Sequence, residues 1–366
     1  MNPHSLSAFG NGITRRQFVQ RTALSVVGAA VAAPSGLWAE ESDAEAASFF
    51  LIGDTHYCAD EIETSAMRGS SVAVTGRLID WLNRLPGTLL PGDLGGGKLM
   101  APHGVIHAGD LIDNGDKGPG RYPMAETELA AFLADWGLNG ADGKLKWPVR
   151  EIHGNHDSPH GDGPVISEIK ARNIRRKGVK NISPNGLHYS WDWAGVHFVA
   201  LGIVAGDAAS VGRARRYAPL GSLPFLEDDL AKNVGDSGRP VVIVHHVDVA
   251  RYSTPVADEV ALKHEWDYGD VRAFHEVLKS HRVAATLYGH THVRNIFRWD
   301  GTKNMGAATG IPSINTDNAS HYNDLKQAFL HLEVDAKELR VREFATTDAW
   351  QTGAWTPQIW RFPLRA

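Results

Sequence analysis

The chain has 366 residues, 43% of them apolar, with 37 Lys and Arg against 42 Asp and Glu, a formal net charge of -5, and 18 histidines. That length and apolar share suit a globular protein with a sizeable core and exclude a disordered chain; the mild negative charge excludes a global pull towards nucleic acid or an anionic membrane, so any anion must be recognised locally. The single cysteine, Cys58, excludes an intramolecular disulfide and a cysteine-rich zinc site, leaving histidine, carboxylate and amide as metal ligands.

At the N-terminus, "TRRQFVQ" places the pair Arg15 and Arg16 before the apolar run Thr22 to Ala33, which is too short to span a bilayer and has the length of a signal-peptide core. The combination resembles a twin-arginine (Tat) export signal, with cleavage expected after Ala32, Ala39 or Ala46. Residues 1–46 are therefore expected to be signal and linker, and 47–366 a single domain with a C-terminal β-hairpin extension and no transmembrane anchor once the signal is removed. The implied location is periplasmic or secreted.

"ASFFLIGD", Ala47 to Asp54, is a short apolar run that stops at Gly-Asp, the form of a buried strand. Similar runs end at Asp110 ("GVIHAGD"), Asp157 ("PVREIHGNHD"), His246 ("PVVIVHH") and His292 ("AATLYGHTH"). Between them, Ser65–Leu85, Met124–Trp136, Leu223–Val234 and Asp270–His281 have helical periodicity, and the alternation predicts a layered α/β domain. A Gly/Pro-rich loop spans Leu85–Pro102, and residues 158–186 read as a polar insertion. Hairpins are expected at Leu187–Leu201 and Gln327–Phe344, turning near Ala194-Gly195 and Asp335-Ala336, which makes the sheets mixed.

In α/β sheets the strand C-termini gather at one edge, where ligands bind. In an extended segment, side chains two apart share a face, so Asp54 and His56 can reach one metal, and His290 and His292 can enter one site. Adjacent residues diverge: if Asn155 faces a metal, His156 stays free for proton transfer, and only one of His245 and His246 is expected to ligate.

In order, Asp54-x-His56, Gly109-Asp110-x-x-Asp113, Gly154-Asn155-His156-Asp157, His245-His246 and Gly289-His290-x-His292 resemble the motif series of the calcineurin-like metallophosphoesterases over roughly residues 48–300. The resemblance implies a four-layer α/β/β/α sandwich of two mixed sheets flanked by helices. It also implies two divalent metal ions bridged by Asp110 and a water or hydroxide, with Asp54, His56 and His292 completing one site and Asn155, His245 and His290 the other. A mixed oxygen and nitrogen set suits Mn, Fe, Zn or Co, and two such ions about 3.5–4 Å apart can activate a bridging water and hold a phosphoryl oxygen. The implied reaction is attack of hydroxide on phosphorus, with Asp110 and His156 as the catalytic residues, His156 stabilising charge or protonating the leaving oxygen. Asp113 and Asp157 are expected to orient ligands or cap turns. Asp113 stands where purple acid phosphatases carry tyrosine, so neither the purple colour nor an obligate ferric site is expected.

The implied function is an exported binuclear phosphoesterase acting on small phosphomonoesters or phosphodiesters, without a duplex nucleic-acid substrate. The alternative is a non-catalytic metal-binding interaction scaffold of the same fold, which lost ligands would signal; none of these positions is lost. A metallo-β-lactamase-type site is disfavoured, since "THYCAD" lacks the required histidines. The basic segment Lys170–Lys180 either extends the site towards polyanionic substrates or, in the plainer reading, forms a solvated helix face, and Cys58 reads as a small buried hydrophobe. Substrate identity, metal identity and oligomeric state are not written in the sequence.

Overall fold

A computed structural model describes residues 46–207, 211, 214–255 and 264–364; residues 1–45 of the expected export signal and linker lie outside them. In chain order the strands are β1 (Ala46–Ile52), β2 (Gly104–His107), β3 (Val149–Glu151), β4 (Val179–Ile182), β5 (Tyr189–Trp193), β6 (Val196–Ala200), β7 (Val241–Val244), β8 (Val283–Tyr288), β9 (Asn295–Trp299), β10 (Ile311–Asn315), β11 (Gln327–Asp335), β12 (Glu338–Thr346) and β13 (Ala354–Pro363). The helices are α1 (Gly69–Arg84), α2 (Tyr122–Trp136), α3 (Gly163–Arg175), α4 (Ser222–Asn233) and α5 (Tyr268–Lys279).

The strands form two mixed sheets, ordered β13-β12-β11-β1-β2-β3 and β4-β5-β6-β7-β8-β10-β9. Their facing sides bury Phe49, Leu51, Trp191, Phe198, Val242, Leu287 and Leu330 in one apolar layer. Phe198 is at its centre, stacked on Trp191 at 5.2 Å and meeting Phe49 edge-on at 5.3 Å. Such geometry adds roughly 0.5–1.5 kcal/mol per aromatic pair to the area term.

The outer faces carry the helices. On the first sheet, Phe50 and Ile52 pack with α1 residues Val74, Leu78 and Leu82, α2 residues Phe132 and Trp136, and α3 residues Val165 and Ile169. On the second, Val241 and Ile243 pack with Leu226 and Leu230 of α4 and Phe274 and Leu278 of α5. Strands covered on both faces read as unbroken apolar runs, which is why β1 and β7 show no alternation. The layers are α/β/β/α. No described helix is long and apolar enough to cross a membrane.

Helix α3 departs from expectation, since residues 158–186 read as a polar insertion. Its buried face is Val165, Ile166, Ile169, Arg172 and Asn173, so polar residues occupy the next helical turn of the core stripe and mask the period. Arg172 and Arg176 form neither a solvated face nor an anion patch. Both meet the buried carboxylate of Glu151 at the end of β3, Arg172 through Nε at 2.7 Å and Arg176 through Nη2 at 2.5 Å, and Arg176 also donates to the Val149 carbonyl. Burial by itself would raise the Glu151 carboxyl, but the two guanidiniums hold it down to about 2. By contrast, Arg175 is exposed beside Glu168.

Strands β1, β2 and β3 are mutually parallel, as are β6, β7, β8 and β10. Each set therefore delivers its strand ends to one edge, and five of the loops leaving that edge carry the polar motifs. Contacts between the sheets join there: the backbone N–H of His290, after β8, donates to Asp54, after β1, and His246 Nδ1 lies 2.7 Å from the Ala108 carbonyl, after β2.

Candidate metal centre

Asp54, His56 and His292 form one cluster and Asp110, His246 and His290 a second; within each, the nearest ligand-type atoms all lie within 4.8 Å of one another. Asp110 links them. Its Oδ2 is 3.2 Å from His246 Nε2 and 3.7 Å from His56 Nε2, so one carboxylate faces both groups. Asn155 joins the second cluster, its Oδ1 3.1 Å from His246 Nε2. His290 and His292 thus fall into different clusters although one residue separates them.

The backbone achieves this differently from the extended chain assumed from spacing. Asp54, His56, Asp110, His290 and His292 all have positive φ, between 42° and 75°. Left-handed residues alternating with ordinary ones turn the chain tightly, and the motif glycines make room: a side chain on Gly154 would strike the Asp110 carboxylate, and one on Gly289 that of Asp54.

Of the adjacent histidines, the structure places His246 in the cluster, not His245 as expected. His245 turns into the second sheet's outer core, parallel to the Tyr288 ring and edge-on to Trp266 and Phe274, with Nδ1 3.0 Å from the Val247 carbonyl. Burial pushes it down to about 3, a neutral packing residue. Alternation along the chain cannot say which of two neighbours faces inwards; burial of the apolar strand decides it.

Buried carboxylates dominate the electrostatics of the centre. Asp54 and Asp110 are buried, and among the described residues neither is ion-paired with Lys or Arg. Burial would lower His246, yet Asp110 and Asp54 overcome it and raise the ring to about 9. His56 is likewise raised: burial opposes the change, while Asp113, Asp110 and Asp54 outweigh it. Asp113 Oδ1 lies 3.3 Å from His56 Nδ1, and Nε2 on the other side of the ring faces His292 Nε2 at 3.0 Å. Two imidazole nitrogens converging between buried carboxylates form a donor set that fits divalent metal ions.

His156 takes the outer position. Its backbone N–H donates to Asp110 Oδ1 at 2.8 Å, its Nδ1 lies 3.2 Å from the Asp113 carbonyl, and its side chain is 30% exposed. Asp157 is a backbone clamp, accepting from Leu111, Ile112 and Gly154 N–H groups. Burial, with the neighbouring Asp110 charge, pushes its carboxyl up to about 7. Cys58 is buried, and burial, aided by Asp113, pushes its thiol up to about 11.

Two further residues reach the centre without a motif to announce them. His321, between β10 and β11, faces His56 and His292 with ring centroids 5.0 and 5.4 Å away and stacks on Tyr322. Glu265, just before α5, has Oε2 3.0 Å from His290 Nε2.

The family model for calcineurin-like phosphoesterases matches residues 47–294, and the chain belongs to that family. Among solved structures, it is similar to a dimetal phosphatase from Danio rerio, at 15% identity and a TM-score of 0.50, over 84% of this chain and 98% of that one. It is also similar to PhoD, at 10% identity and 0.47 over 85% and 71% of the two chains, and to GAP50 of Plasmodium, at 10% and 0.44 over 88% and 90%. At these identities the likeness concerns the fold. No curated protein matches the chain significantly.

Proposed function

We propose that the protein is an exported, binuclear metal-dependent phosphoesterase acting on small phosphomonoesters or phosphodiesters. The observation that carries the reading is the buried pair Asp54 and Asp110, with Asp110 turned towards both histidine clusters and, among the described residues, neither carboxylate ion-paired with Lys or Arg. Asp54, His56 and His292 would hold one ion and Asn155, His246 and His290 the other, with Asp110 between them. When bound, two ions such as Mn, Fe, Zn or Co supply Lewis acidity towards a phosphoryl oxygen and lower the pKa of a shared water.

The chain's own groups do the rest. Asp113 Oδ1 stands 3.3 Å from His56 Nδ1, on the side of the ring away from His292, and Asp157 ties the loops after β2 and β3 together, so that Asp110, Asn155 and His156 keep one geometry. His156 Nδ1 faces the Asp113 carbonyl, so Nε2 is the nitrogen left for substrate, and as an imidazolium the ring could donate from it to a phosphoryl oxygen or hand its proton to the leaving oxygen. The paired Arg15 and Arg16 before a short apolar run support export by a twin-arginine route.

The test is hydrolysis of p-nitrophenyl phosphate against bis-p-nitrophenyl phosphate by the purified chain, after chelation and readdition of Mn, Zn, Fe or Co. Metal-restored turnover is expected, and the preferred compound separates monoesterase from diesterase. Metal uptake without turnover of either compound turns the reading towards the non-catalytic scaffold, and no uptake refutes the metal centre.

A further inference from the structure

His290 sits 3.0 Å from Glu265 through Nε2, and Glu265 belongs to none of the recognised motifs. The carboxylate is held from several directions. The Tyr252 hydroxyl donates to Oε2 at 2.5 Å, the Tyr217 hydroxyl to Oε1 at 3.5 Å, and Arg216 Nη1 lies 3.7 Å from Oε1. Both tyrosines are buried, so their hydroxyls have reason to keep this partner. The neighbouring Trp266 anchors the backbone: it is buried against His245 and Phe274 and donates through Nε1 to the Ala205 carbonyl at 2.9 Å.

An imidazole that binds a cation through one nitrogen carries its proton on the other, and a carboxylate on that side fixes the tautomer and raises the ring's basicity. Asp113 stands in a similar place beside His56, its Oδ1 3.3 Å from Nδ1. We propose that Glu265 is the corresponding positioning residue for His290, holding Nε2–H so that Nδ1 is the nitrogen presented to the metal of the Asn155/His246/His290 site. The inference rests on the metal-centre reading above and adds to it a residue of that site drawn from outside the motif series.

The test is metal titration of the full chain, after chelation, with Mn²⁺ and Zn²⁺, comparing wild type with Glu265→Gln and Tyr252→Phe, alongside melting of the metal-free proteins and visible spectra of the Co²⁺-loaded forms. Wild type is expected to take up two equivalents. Glu265→Gln should keep one at wild-type affinity and bind the other about 10–100-fold more weakly, with a changed Co²⁺ spectrum and a metal-free protein that still melts cooperatively. Tyr252→Phe should weaken the same site by a smaller factor. Two unaltered affinities in Glu265→Gln overturn the inference, as does a metal-free protein that melts lower while both sites weaken equally, since that marks a residue serving the fold alone. Wild type that takes up no metal overturns the underlying metal-centre reading as well, so the two failures are distinguishable.

Discussion

Glu151→Gln tests whether the basic segment after β3 serves the fold. The substitution keeps the shape of the side chain and removes the one charge facing Arg172 and Arg176, both buried. Holding the Glu151 carboxyl at about 2 rather than the ordinary 4.5 corresponds to roughly 3 kcal/mol, at about 1.4 kcal/mol per tenfold change in proton affinity. Breaking a buried pair from one side costs about 3–5 kcal/mol, so the two routes agree. Because the folded value lies below the unfolded one, the contribution is complete above pH 4.5 and is lost as pH falls towards 2. Urea unfolding at pH 7, 5, 4 and 3 should therefore show a gap of about 3 kcal/mol between wild type and variant that closes with acid. A gap under about 1 kcal/mol at pH 7, or one that does not change with pH, would refute the clamp.

Three further outcomes are expected. His246→Ala should lose one of two metal equivalents, whereas His245→Ala should keep both and lose about 3 kcal/mol of stability from the vacated space beside Trp266, Phe274 and Tyr288; metal analysis with thermal melts checks this, and the reverse pattern would restore His245 as the ligand. Cys58, with its thiol pushed up to about 11, should resist N-ethylmaleimide at pH 7.5 in the native protein, and Cys58→Ala should retain metal content; rapid labelling with loss of activity would contradict its buried role. His197 is raised despite burial because Asp192 and Asp229 take its two N–H groups at 2.7 and 2.6 Å. Its contribution is complete below the ordinary histidine value of 6.5 and is lost as pH rises through the raised one, so the gap in unfolding midpoint between wild type and His197→Gln should be widest below pH 6.5 and narrow on the alkaline side.

What the sequence makes legible follows from what is local. The runs ending at Asp54, Asp110, His246 and His292 are strands because apolar, β-branched stretches covered on both faces have few other options. The two hairpins are marked by turn chemistry, and Ala194 and Gly195 both take the positive φ that a two-residue turn demands. Helix α3 is hidden because arginine fills a core position whose counter-charge, Glu151, lies on another element. His245 and His246 cannot be told apart by alternation, and the chain around the ligands is left-handed where it was expected to be extended. Glu265 and His321 reach the centre only through long-range packing of their loops, which no spacing rule records.

Five of the centre's residues stand in the left-handed region, and each non-glycine there costs on the order of 1 kcal/mol. Glycine at any of them would relax the backbone and remove a side chain from the centre in a single step. Where no hydrogen bond offsets that strain, thermal robustness and the chemistry of the centre pull these positions in opposite directions. For an engineer the same bias is a warning: a stabilised library screened by melting temperature would enrich precisely those sequences that have given up the centre, unless metal retention is scored in the same experiment.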